Sequence, residues 1–339
     1  MKKLPVFLSI PILLIAAFIL IDKSYSGAVW SAKELKLFGT TVSIQVNHEK
    51  RTIRELAIKK VIEEFKRIEN QFSPYISTSE ISVLNNTAFN NTVKVSDETA
   101  RLIRFASGIS QLSEGAFDIT YASVGQLYDF RNQSAPSAEQ LAKAKYGIGF
   151  NNLELYENNT VSFKNRYTKI SFGGFAKGYA VKQAIEILKG YGISNALVTA
   201  GGDSMVIGTK NGNPWRTGIK APRGQLRAVY TFNLTDKAIS TSGDYERYFI
   251  DGEGDHVHHI VNPATGNSAS DVQSVTVIGN DPTFTDALST AMFVLGAKRS
   301  MVLAEGIDHV EALVIDKAGD FHISTGFPQH QTFSPRPEK

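Results

Sequence analysis

Apolar positions recur at helical spacing over Arg51–Asn70, where Ile53, Leu56, Ala57, Val61, Phe65 and Ile68 share one face. A second helix is predicted over Asp97–Leu112, with Ser96 as its N-cap and Gly115 just beyond its end. A third covers Ala176–Leu188 and is closed by Gly190 or Gly192. Pro282–Leu295 starts a fourth, which Ala297–Glu305 continues or restarts. Strand patterns fall at Leu37–Val46, Asn195–Thr199, Ala228–Leu234 and Ser274–Ile278. Val310–Ile315 and Phe321–Ser324 read as a hairpin around Lys317-Ala318-Gly319. Helices and strands mix without a regular strand–helix–strand alternation, so an α+β fold is expected rather than a doubly wound sheet.

The strongest organisational signal comes first in the chain. Lys2 and Lys3 precede an apolar run from Leu4 to Ile21, interrupted by Ser9, Pro5 and Pro11 and ended by Asp22 and Lys23. The run is long for a signal peptide and just long enough to span a bilayer. It reads either as an uncleaved anchor or as a cleaved signal, and residues 24–33 read as a linker. The expected organisation is therefore a targeting segment with linker over 1–30 and one globular unit over 31–339. Both readings leave the globular unit outside the cytoplasm, on the periplasmic side of a bacterial inner membrane.

Composition narrows the chemistry. The chain is 42% hydrophobic and 20% charged, an ordinary globular balance, and its net charge of +3 with scattered basic residues gives no nucleic-acid footprint. There is no cysteine, which excludes disulfides, zinc thiolates, iron–sulfur clusters and thiol nucleophiles, and no lipidated N-terminal cysteine is expected.

Five segments carry possible chemistry. In Ser171-Phe172-Gly173-Gly174-Phe175-Ala176-Lys177-Gly178, paired glycines open a helix whose N-terminus favours an anion. A tight turn with a solvent-facing lysine fits the same residues. Asp286 and Thr290 lie four apart on one helical face and offer hard oxygen ligands for Mg²⁺. Taken alone, a helix-start aspartate and a threonine bonding to the previous turn fit these residues better. Among His256, His258 and His259, one facing a cleft would serve as a general base; a polar hairpin is the alternative. Ser240–Tyr245 reads as a polar turn that positions a ligand, and Glu114–Thr120 as a helix cap or a small-residue platform for a flat ring.

The order of these segments adds what none carries alone. With Phe38-Gly39-Thr40-Thr41, Ser73-Pro74-Tyr75 and Ser79-Glu80-Ile81-Ser82, they make the chain resemble the ApbE family of FAD:protein FMN transferases from about Leu37 to Phe327. The resemblance implies FAD as substrate, Mg²⁺ as cofactor, and transfer of FMN to a threonine or serine hydroxyl of an exported acceptor flavoprotein, such as a redox-complex subunit. It implies metal ligation by Gly174, Asp286, Ser289 and Thr290. It also implies a FAD pocket formed by Phe38, Tyr75, Ala116, Phe117, Asp118, Ser171, Lys177 and Ile260, with His259 accepting the target hydroxyl's proton. The chain departs from the family pattern at Ser171 and Asn262, where aspartates are usual, and at Ser123 and Tyr128, where proline and tryptophan are usual. Losing two carboxylates leaves open a FAD-binding protein without transfer, or a FAD pyrophosphatase without protein acceptor. The chain carries no S/T-G-A-T acceptor site of its own, so transfer is expected in trans.

Overall fold

The computed structural model describes residues 29–222 and 228–331, together with the backbone of a three-residue strand, Ala17–Ile19. Apart from that strand, the N-terminal apolar run, and with it the expected anchor or signal, lies outside the described residues. Among the described residues no helix is long and apolar enough to cross a membrane.

An eight-stranded antiparallel sheet organises the chain. Its order is Phe321–Ile323, Glu311–Asp316, Val272–Gly279, Lys237–Gly243, Asp203–Ile207, Asn195–Ala200, Thr40–Asn47 and Trp30–Leu37. Successive side chains on a strand point to opposite faces, and both faces are covered. Ala196 and Val198 join the core under the helices, while Leu197 between them packs against Trp215, Ile219 and Phe232 on the other face. Val206 alternates in the same way between Met205 and Ile207. This two-sided burial makes the central strands read as continuous apolar runs. The helices Arg51–Phe72, Ala176–Gly190 and Pro282–Leu295 form the first cover, and the sheet pair Trp215–Lys220 and Ala228–Leu234 contributes to the second. The architecture is α+β, as the pattern predicts.

Local chemistry sets the helix ends. Ser96 accepts from the Thr99 amide at 3.2 Å, and the helix runs over Asp97–Leu112. Asp281 accepts from Thr283 N at 2.8 Å and places Pro282 in the first turn of Pro282–Leu295. Gly296, at φ 78°, ends that helix, so Ala297–Glu305 is a separate one.

Three expectations change. Leu37–Val46 is not one strand but the meeting of two, Trp30–Leu37 and Thr40–Asn47, joined by Phe38 and Gly39 at φ 55° and 68°. Two consecutive left-handed residues make a tight hairpin, and a phenylalanine there hides the turn from its sequence. The linker expected over 24–33 overlaps the first of these strands, which begins at Trp30. Ser240–Ser242 belong to a strand, not to a polar turn. Ser240 and Ser242 satisfy their hydroxyls against Thr285 at 2.9 Å and Ser289 at 2.8 Å on the helix above.

Candidate active site

The site forms where the N-terminus of Ala176–Gly190 meets the side of Pro282–Leu295. These helices approach so closely at Gly178 that a methyl there would lie 2.1 Å from the Pro282 carbonyl oxygen and 2.6 Å from Asp286 Cβ. The approach lets the Gly178 amide donate to Asp286 Oδ2 at 2.8 Å. Thr290, one turn on, donates to the Gly174 carbonyl at 3.4 Å. Asp286, Thr290 and Gly174 are thus brought together around one helix start. Ser289 is fully buried and donates to the Asp286 carbonyl at 2.9 Å. Its hydroxyl is left to accept from Ser242, which also lies 3.5 Å from Thr290 Oγ1.

Lys177 crosses the gap between the helix and the sheet. It forms an ion pair with Asp203 and lies 4.0 Å from Asp286 Oδ1. Burial works against its charge, but the two carboxylates outweigh burial and hold it firmly protonated. Burial, and then the charge of Asp203, push Asp286 well above the ordinary carboxylate range, against the pull of Lys177 and the Gly178 amide. Asp203 sits on the helix-facing side of its strand, in step with Met205 and Ile207. Sequence reasoning missed it; the available signal is a carboxylate heading an otherwise apolar strand directly after Gly201-Gly202.

The donor set fits a hard divalent cation: a carboxylate, a carbonyl and hydroxyls, with no soft ligand. No group of three or more His, Asp or Glu suited to a metal occurs among the described residues, so a cation here depends on mixed oxygens and on substrate phosphate.

The three histidines separate clearly. His258 is buried and donates from Nε2 to the Ala269 carbonyl at 2.6 Å, while its Nδ1 accepts from Ile260 N at 3.3 Å. His256 stacks on Tyr248 with ring centroids 4.5 Å apart. His259 alone has a buried Nδ1 without a hydrogen-bond partner among the described residues. Burial lowers its pKa to about 3, with Arg247, His258 and Lys177 adding in the same direction. It is therefore neutral at physiological pH and has an acceptor nitrogen to offer.

The expected FAD-pocket residues are placed as follows. The Phe117 ring lies against Gly174 and stacks obliquely on Phe175, 6.2 Å away. Ala116 precedes it in a turn bonded to Ser113. Asp118 is buried and accepts from the Thr120 amide at 2.8 Å and hydroxyl at 2.6 Å, a capping role. Phe38 packs edge-on against Phe65, and its amide donates to Glu69. Ile260 is buried beside Leu288 and Met292. Tyr75 is 87% exposed. Its phenol is within electrostatic reach of Tyr121, a half-buried tyrosine near Ser171.

The departures from the family pattern have local explanations. Ser171 Oγ accepts from the Gly173 amide at 3.1 Å. Asn262 Oδ1 accepts from Ala264 N at 2.9 Å, closing a turn that an aspartate would close equally. Ser123 accepts from Lys169 N at 3.0 Å, and Tyr128 donates to the Gly266 carbonyl at 3.2 Å.

Comparison with known proteins identifies the family. The sequence model of the ApbE family matches residues 38–314. This chain belongs to the ApbE family. A FAD:protein FMN transferase of Vibrio cholerae is 31% identical over 287 residues, covering 83% of each chain. One from Haemophilus influenzae is 30% identical over 252 residues, covering 71% of this chain and 72% of that protein. The crystal structure of the ApbE protein from Thermotoga maritima matches with a TM-score of 0.81 at 34% identity, covering 88% of this chain and 98% of that one. The flavin transferase ApbE from Vibrio cholerae matches with a TM-score of 0.79 at 28% identity over 89% and 99%. Membership in the ApbE family covers the segment that builds the site, from the Phe38–Gly39 turn through Thr290.

Proposed function

We propose that this protein transfers FMN from FAD to a threonine or serine hydroxyl of an acceptor protein, with Mg²⁺ as cofactor, and releases AMP. The observation that carries the reading is the meeting of Gly174, Lys177, Asp286 and Thr290 at one helix start in a chain of this family. The acceptor oxygen forms a bond to the FMN-side phosphorus. The bridging P–O bond breaks, and AMP leaves with the bridging oxygen. The hydroxyl proton passes to the imidazole of His259, which burial keeps neutral.

Gly174, Asp286 and Thr290 would hold the cation, with Ser289 and Ser242 supporting the hydroxyl of Thr290 and the backbone of Asp286. Bound there, Mg²⁺ supplies charge neutralisation for the pyrophosphate. Lys177, fixed by Asp203, holds its ammonium beside the same carboxylate and favours an anion at the helix N-terminus. The pKa of about 3 makes His259 a weak base beside Lys177 and Arg247. A bound pyrophosphate would offset those cations and raise its basicity.

The acceptor would be an exported flavoprotein, such as a redox-complex subunit, and the site would face the periplasm, on the strength of the Lys2-Lys3 and apolar-run arrangement. A compartment-specific reporter fused after Lys339 tests the location; activity in the cytoplasm from a full-length fusion would reverse the topology.

For the reaction, the protein is incubated with FAD, Mg²⁺ and candidate acceptors, with in-gel flavin fluorescence and AMP release as readouts. Labelled acceptor supports transfer. AMP without acceptor would make the protein a pyrophosphatase, and FAD binding with neither product would make it a flavin-binding protein. Asp286→Ala should lower transfer by about 100-fold or more while the fold survives.

A further inference from the structure

One cation of this site is not accounted for by the arrangement above. Arg247 is exposed, and it is the last residue of the loop that leaves Lys237–Gly243 and runs into the strand Tyr248–Ile250. Three observations fix where its guanidinium lies. A methyl group at Gly39 would be 2.8 Å from Arg247 Nη2, so the guanidinium rests against the Phe38–Gly39 turn. Its carbonyl oxygen accepts from the His259 amide at 3.1 Å, so its backbone is tied to the residue holding the candidate base. Its charge is felt by Tyr121, Lys177 and His259. The guanidinium therefore stands in the mouth of the site, between the turn that carries Phe38 and the imidazole of His259.

Its electrostatic situation differs from that of Lys177. The Lys177 ammonium is matched by two carboxylates, Asp203 and Asp286. Among the described residues no carboxylate forms an ion pair with Arg247. Glu246, its chain neighbour, responds to Lys220 and Lys177 as well as to Arg247, and burial pushes its carboxyl up. A guanidinium held next to a neutral imidazole and a second cation, with no carboxylate of its own, is suited to an anion from outside the chain. Its planar fork matches two phosphate oxygens at once, which an ammonium cannot do.

We propose that Arg247 is a substrate-binding residue of this site, where its guanidinium holds the pyrophosphate of the dinucleotide beside His259. The proposal rests on the flavin-transferase reading for the identity of the ligand. A phosphate held there stands beside the imidazole of His259, the candidate base. The same contact would also lessen the field that keeps His259 acidic. Arg247 would thus bind the substrate and, in its complex, restore the base.

The test is equilibrium binding of FAD in the presence of Mg²⁺, followed by flavin fluorescence, for the wild-type chain, Arg247→Ala and Arg247→Lys. Loss of a charge-assisted contact should weaken FAD binding by about 10- to 100-fold in Arg247→Ala. Arg247→Lys should fall between wild type and the alanine variant, because it keeps the charge but loses the fork. The dependence of the dissociation constant on salt should be shallower in Arg247→Ala than in the other two. An Arg247→Ala chain that binds FAD within about 2-fold of wild type would remove Arg247 from the site. Equal losses in the alanine and lysine variants would reduce it to a structural support of the His259 loop. A wild-type chain that binds no FAD would instead sink the flavin-transferase reading, and the named ligand with it. Wild-type binding with an indifferent alanine variant sinks only the assignment of Arg247.

Discussion

The Gly178 amide and the Asp286 carboxylate meet at 2.8 Å because residue 178 has no side chain to keep the two helices apart. The bond fixes the orientation of the one carboxylate that faces Gly174 and Thr290, so helix packing and ligand geometry depend on the same contact. Gly178→Ala places a methyl against the Pro282 carbonyl, which belongs to backbone and cannot swing away. We expect about 1–3 kcal/mol of destabilisation from this overpacking. Transfer should fall further than stability alone explains, because Asp286 would be displaced. Urea unfolding and flavin labelling measured on the same variant check both; unchanged labelling would show that Asp286 does not need this anchor.

Asp203 and Lys177 provide a second test. The carboxylate is buried and the lysine is partly exposed, so either partner alone is costly to leave unpaired. Asp203→Asn should destabilise the fold by roughly 1–3 kcal/mol. Adding Lys177→Met should cost less than the sum of the two single changes, with a coupling of about 1–2 kcal/mol. Additive losses in the double-mutant cycle would mean that the pair is incidental to stability.

Much of this site is legible in the chain because its parts are local. Ser96, Pro282 and Gly296 set helix ends through their nearest neighbours. Asp286 and Thr290 share a face through helical spacing alone, and Gly173-Gly174 announces a helix start. Asp203, Tyr121 and Arg247 were not legible as site residues, and Ser242 was legible only as part of a polar turn. Asp203 reaches Lys177 only because Asn195–Ala200 and Asp203–Ile207 form adjacent strands beneath that helix. Ser242 reaches Ser289 across from another strand, and Arg247 reaches Gly39 across more than two hundred residues of sequence. Period and propensity describe neighbours in sequence; strand order decides these contacts. The Phe38–Gly39 turn was hidden for a different reason, since phenylalanine seldom takes a positive φ.

His259 should leave a trace in the pH dependence of stability. Its pKa is about 3 in the folded chain against an ordinary value near 6.5. Between those values the unfolded chain binds a proton that the native chain refuses, so stability rises with pH across the window and is lost as pH falls. Arg247, His258 and Lys177, together with burial, maintain that refusal. His259→Asn removes the titrating group. Relative to wild type, the variant should therefore gain about 1–2 kcal/mol on going from pH 7 to pH 4, after allowance for partial exposure. Denaturant unfolding at both values measures the difference, and an offset independent of pH would show that His259 titrates normally.

Ser171 offers the sharpest test of the departures from the family pattern. Its hydroxyl already accepts from the Gly173 amide at 3.1 Å, so the bond an aspartate would supply at this turn is in place. What serine lacks is the charge. Tyr121, its neighbour, lies within the electrostatic reach of both Lys177 and Arg247, so a carboxylate at 171 would have cations to offset its burial. Ser171→Asp should therefore fold, and it should lower the Mg²⁺ concentration needed for half-maximal transfer, because one more negative charge stands near the Gly173–Gly174 turn. Ser171→Ala separates bond from charge: it leaves the Gly173 amide without its acceptor and should weaken activity without improving the response to Mg²⁺. The measurement is a magnesium titration of flavin labelling for the three chains, with thermal unfolding to confirm that each is folded. An equal or poorer magnesium response in folded Ser171→Asp would mean that the pocket is rebuilt around the serine, and would favour the reading in which this chain binds FAD without transferring it.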